Sequence, residues 1–279
     1  MLTVLTGFFV YWQLPNSPEQ STWLTPREQQ FIRFRLEQDA GTKGGRVNTT
    51  DEFQMKYLIR ALTDWKLWFT VFIYWGSTIP NYAFTFTAPQ IILNLGYTAA
   101  QAQLLTIPIY VGATISLLSC CRLADRYKTR WKFIVYPYLV ALVGFIGLLA
   151  VPQDRLPGLS YAFLFPVTIG CYPGVITVVT WIANNIAPSS KRACGMASTL
   201  MMANFGGVIG SNIFLAKESP RYWTGYGVCA GCLTFAIGCT IFLRFMYVRE
   251  NNKRDQMTEA DVREKYTEGK LPNNLALNI

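Results

Sequence analysis

Apolar side chains run in six long stretches, at about residues 67–92, 103–121, 133–151, 159–183, 195–216 and 224–246. Polar segments separate them, and basic segments alternate with nearly uncharged ones. A helix needs ~20 apolar residues to cross a ~30 Å hydrocarbon layer. No stretch carries Lys, Arg, Asp or Glu in its middle. A membrane barrel would show ~10-residue alternating segments instead, and these runs do not alternate. A soluble helical core gives no reason for six uncharged runs of this length to recur. The pattern therefore predicts an all-α polytopic membrane protein with six transmembrane helices.

The flanking segments read differently. Residues 1–14 are apolar but short for a span, and Pro15 ends the run. They lack the positive start of a signal peptide, so they are expected to be the truncated end of a transmembrane helix. Residues 15–66 form a polar connector, expected to be a cytoplasmic central loop with amphipathic helices. Thr25-Pro-Arg-Glu28 fits a capping box, with Phe31, Ile32, Phe34 and Leu36 behind it and Gly41 as a stop. Thr49-Thr-Asp-Glu52 is a second start, followed by Met55, Leu58, Ile59 and Leu62 at helical spacing. Residues 67–246 make the six-helix bundle, and 247–279 a cytoplasmic tail, helical around Glu259–Glu268.

Composition agrees: 51% of residues are hydrophobic and 15% charged, with mean hydropathy +0.22. The net charge of +9 could suggest nucleic acid, but its distribution argues for topology instead. Of the 25 lysines and arginines, only Arg155, Lys217 and Arg221 fall outside the connector, the loops after the second and fourth spans, and the tail side. By the positive-inside rule the connector and the C-terminus lie in the cytoplasm; no nucleic-acid partner is expected. The seven cysteines sit in or at the ends of spans and read as small apolar filler. There is no histidine, which removes His relays, His metal sites and Ser-His-Asp triads. No nucleophile lies beside a base, so neither an enzyme, a cofactor nor a metal is expected.

Chemistry concentrates where the spans are interrupted. Pro80-Asn81, Pro108, Gly170-Cys-Tyr-Pro-Gly174 and Gly206-Gly207 with Gly210 fall inside apolar runs. Helices broken at the midplane free backbone groups to line a cavity. Tyr74, Thr78, Asn81 and Thr85 share one helix face. Tyr172, Thr177, Trp181, Asn204 and Ser211 are expected to complete the lining. Thr78, Asn81, Tyr82, Tyr172 and Asn204 are thus the candidate substrate contacts. Interhelical hydrogen bonding would use the same residue types equally well. Gly206-x-x-x-Gly210 and Gly227-x-x-x-Gly231 read as close-packing seams.

After the second span comes Arg122-Leu-Ala-Asp-Arg126-Tyr-Lys-Thr-Arg130. This resembles the cytoplasmic loop motif of the major facilitator superfamily, G-x-L-a-D-R-x-x-x-R, with Cys121 in place of the opening glycine. Trp181-Ile-Ala-Asn-Asn185, Lys191-Arg192-Ala-Cys-Gly-Met196, Asn204-Phe-Gly-Gly-Val-Ile-Gly-Ser211, Pro220-Arg-Tyr-Trp-Thr-Gly-Tyr226 and Arg249-Glu-Asn-Asn-Lys-Arg-Asp255 follow in order. The series is similar to the fungal allantoate permease branch of that superfamily, the anion:cation symporters. Pro188-Ser-Ser190 stands where that branch often has Gly-His.

The resemblance implies twelve helices in two halves with the substrate between them. This chain would then be the C-terminal half, with a partial preceding helix. It implies transport of allantoate- or vitamin-like carboxylates by alternating access, coupled to protons, in the plasma membrane. It gives Asp125, Arg126 and Arg130 a gating role. The expected partners are the small-molecule substrate, protons, the lipid bilayer, and a missing N-terminal six-helix half or a homodimer mate. The spans offer no mid-membrane proton carrier and no central cation. A non-transporting nutrient sensor and an inactive truncated product are the alternatives.

Overall fold

The computed structural model describes residues 2–13, 21, 23–39, 55, 59, 62–152, 156–186, 189–219 and 221–256. They fall into two compact units, Met1–Asp51 and Glu52–Ile279. The first holds α1 (Leu2–Gln13) and α2 (Pro26–Asp39). Apolar residues cover α1 on all sides, with Phe8, Phe9, Tyr11 and Trp12 exposed. At the start of α2 the Thr25 backbone N–H and hydroxyl both donate to Glu28, at 2.9 and 2.8 Å. These bonds hold the Glu28 carboxyl below its ordinary pKa. The second start at Thr49–Glu52 and the helix around Glu259–Glu268 lie outside the described residues.

The second unit holds six long helices: α3 (Trp65–Asn94), α4 (Ala99–Tyr127), α5 (Lys132–Ala150), α6 (Pro157–Asn185), α7 (Ser189–Asn212) and α8 (Trp223–Asp255). Their bounds follow local chemistry. Asp64 caps α3, accepting from the Lys66 N–H at 3.2 Å, and Gly96 takes the left-handed conformation just past its end (φ 96°). Thr98 and Gln101 form a reciprocal capping box at α4. Pro157 starts α6 at its first position. Glu218 accepts from the Thr224 N–H at 2.8 Å at the head of α8.

Five of these helices are long and apolar enough to cross a membrane. The exception is α3, which is 30 residues long but whose apolar residues are interrupted by polar ones. Its position explains this: α3 packs against α4, α6, α7 and α8, so protein rather than lipid surrounds much of it. By contrast, only 11% of the apolar window of α4 is buried within the protein. Leu104, Ile107, Val111, Ile115 and Leu118 form an exposed ridge along it.

The expected breaks are absent. All six helices run continuously through their prolines and glycines. The physical reason is visible at Pro173, whose ring leaves the Ile169 carbonyl without its helical donor. The Ser116 hydroxyl of α4 donates to that carbonyl at 2.9 Å. The glycines serve instead as crossing points. A Cβ on Gly174 would collide with Ser77 and Tyr138, and one on Gly210 would sit 2.7 Å from the Ile79 carbonyl. The Gly206–Gly210 seam therefore packs as expected, against α3. The Gly227–Gly231 seam does not, since neither glycine has a neighbour near its Cβ position.

Candidate functional site

Polar groups near the middle of α3 meet its neighbours. The Tyr82 hydroxyl donates to Asn204 Oδ1 of α7 at 3.1 Å. The Asn81 amide donates to the Cys171 carbonyl of α6 at 3.5 Å. Tyr172, the next residue, turns its ring edge-on to Tyr110 of α4, with centroids 6.0 Å apart. Tyr82 stacks on Phe86 and lies over Gly207. Asn81, Tyr82 and Tyr172 are half-buried, and Asn204 and Thr85 are exposed. Four of the five expected contacts thus gather around α3, on a surface of amides, hydroxyls and aromatic rings.

Thr78 is the exception. It is buried, and its hydroxyl donates to the Tyr74 carbonyl one turn back at 3.0 Å. The polar stripe is straight on α3, but α6 and α7 cover its first half and leave its second half open. Two further lining residues are also withdrawn. Thr177 is buried and donates to the Pro173 carbonyl at 2.8 Å. Trp181 is fully buried, edge-on to Tyr247. Both act within the packed core.

Several site-shaping residues carried little sequence signal. Tyr110 lies two positions after Pro108 and reads as one aromatic among fifteen tyrosines. The Trp75 indole donates to the Met202 carbonyl at 2.9 Å, tying α3 to α7 beside Asn204. Beneath the site, the Tyr138 hydroxyl contacts Ser77 Oγ at 2.6 Å and donates to the Ile73 carbonyl at 2.9 Å. A buried hydroxyl flanked this way locks α5 to α3.

The loop that holds the expected gating residues lies at the C-terminal end of α4. Asp125 accepts from Arg130 at 2.5 Å, closing the turn between α4 and α5. Asp125 is exposed while Arg130 is largely buried. Arg126 is exposed on the last turn. At the same end, Lys66 of α3 pairs with Glu250 of α8 at 2.6 Å, a pair that sequence spacing gave no reason to expect. The described residues contain no group of His, Cys, Asp or Glu able to hold a metal ion.

A continuous helical bundle with a polar, uncharged surface at mid-helix is the architecture of a multi-pass membrane protein. The family model for the Major Facilitator Superfamily matches residues 1–211, and the chain belongs to that superfamily. It is 31% identical to the MFS-type transporter cnsO of Penicillium expansum, over 97% of this chain and 53% of the relative. It is 28% identical to the high-affinity nicotinic acid transporter of Saccharomyces cerevisiae, over 88% of this chain and 45% of the relative. An uncharacterized transporter of Schizosaccharomyces pombe is 27% identical over 94% of this chain and 52% of its own length. The chain spans about half the length of these curated relatives.

Proposed function

We propose that this chain is the C-terminal six-helix half of a carrier for small organic anions of the vitamin-like carboxylate class. On this proposal it works by alternating access around the surface at Asn81, Tyr82, Tyr172 and Asn204. The observation that carries it is the uncharged polar cluster at mid-helix, open on the side where α4 and α7 expose apolar ridges. The amides and hydroxyls suit a carboxylate and the aromatic rings suit a planar body. The nicotinic acid transporter among the relatives supports that substrate class. We further propose the allantoate permease branch, proton coupling, the plasma membrane, and a cytoplasmic C-terminus. A first half carrying the ionisable groups would cover the exposed ridges.

The cluster contains no charged side chain, so residues 1–279 expressed alone should not transport. The test is uptake of labelled nicotinate or allantoate by yeast carrying the complete transcript that encodes these residues. Uptake that collapses with a protonophore and with Asn204→Ala supports the proposal. A complete product that takes up neither compound, yet triggers a nutrient response to one of them, would replace it with a sensor.

A further inference from the structure

Two side-chain N–H groups are buried without a hydrogen-bond partner among the described residues: Trp131 Nε1 and Arg244 Nε. They belong to residues in direct contact. The guanidinium carbon of Arg244 lies 3.7 Å from the centre of the Trp131 ring, and the Lys132 ammonium lies 5.9 Å from it. A buried donor without an acceptor is unfavourable, and here two occur on one stacked pair. The carboxylates of Asp125 and Glu250 pair with other cations, Arg130 and Lys66. Among the described residues neither Lys132 nor Arg244 has a carboxylate partner. Trp131 is the N-cap of α5 and makes no side-chain cap bond. The positive end of that helix adds to the two cations.

We propose that the junction of the α5 N-terminus with α8, at Trp131, Lys132 and Arg244, binds the phosphate of an anionic lipid headgroup. Phosphate oxygens would accept from Arg244 Nε and the Trp131 indole, with Lys132 supplying a second charge. Both orphan donors are shielded, so the indole must part from the guanidinium to admit the anion. A membrane source fits better than a soluble one because of what flanks the junction. Tyr136 and Val140 on α5, and Ile241 and Phe245 on α8, are exposed apolar residues suited to acyl chains. Arg126 and Lys128 lie exposed beyond them. Basic residues at a span end attract the anionic cytoplasmic leaflet, and tryptophan favours that boundary.

The test uses the detergent-purified full chain in micelles of phosphatidylcholine containing phosphatidylserine, with retained lipid read by native mass spectrometry. The wild type should retain phosphatidylserine over phosphatidylcholine. Lys132→Gln and Trp131→Phe should each cut that retention about tenfold, the factor that ~1.4 kcal/mol of lost binding gives. Lys132 is exposed and Trp131→Phe keeps a ring, so melting in phosphatidylcholine alone should be unchanged for both. A second arm adds inorganic phosphate. If phosphate raises the melting temperature in these residues' presence and no lipid is selected, the same chemistry is met from solution. Equal retention of both lipids with no response to phosphate, or retention indifferent to both substitutions, overturns the proposal.

Discussion

At the scale of single residues, hydroxyls and amides do two jobs that sequence cannot separate. Tyr82 and Thr78 lie on the same helix a turn apart, yet one reaches α7 and the other bonds its own backbone. Tyr82→Phe should therefore raise the substrate KM of a complete carrier by about three- to tenfold, the worth of one hydrogen bond. Thr78→Val should leave KM unchanged, because Thr78 is buried beneath the neighbouring helices. Uptake kinetics of the two variants check this. Tyr138→Phe is a stability change. Losing the Ser77 and Ile73 contacts should lower the melting free energy by about 1–2 kcal/mol without altering substrate affinity. Gly174→Ala should be worse, since α3 and α6 have no room for a methyl group there.

At the scale of elements, the six helices and their approximate positions were legible, because apolar run length and capping chemistry are local properties. Thr98 with Gln101 marks the head of α4 in sequence and in structure alike. The inferred breaks were not met, because a proline's cost depends on whether a neighbouring helix offers a donor to the freed carbonyl. Ser116→Ala removes that donor from Ile169. It should bend α6 at Pro173 and increase amide exchange around residues 169–173, measurable by mass spectrometry. Asp125→Ala opens the turn between α4 and α5. In a complete carrier it should impair turnover more than binding, and equal loss of both would remove Asp125 from the gating role. At α2, Glu28 has a lowered pKa from its bonds to Thr25. Its contribution is present above the ordinary carboxylate pKa and is lost as pH falls through the lowered value. Amide exchange at the start of α2 should speed up on acidification, and Glu28→Gln should abolish that dependence.

At the scale of the whole molecule, the bundle is organised around α3, which packs against α4, α6, α7 and α8. Its N-terminus and the end of α8 come together through Lys66 and Glu250, in agreement with the charge pattern that assigns both to one membrane side. Cysteines introduced at Lys128 and Lys217 should label from opposite sides of the membrane with an impermeant maleimide. Labelling of both from one side would overturn the proposed orientation. The apolar ridge on α4 and the exposed Met201, Phe205 and Val208 on α7 should become protected from lipid-soluble probes when a first half is present.

The sequence by itself determined the class of this protein. Six uncharged apolar runs and the Asp125–Arg130 motif require only composition and spacing, so membrane insertion and superfamily are written locally. The tertiary structure decided which polar residues face outward. Thr177 and Trp181 read like a lining but are closed over by neighbouring helices, while Tyr110 and Trp75 gain roles only through contacts far along the chain. Helical periodicity fixes which residues share a face, and only packing fixes what that face meets.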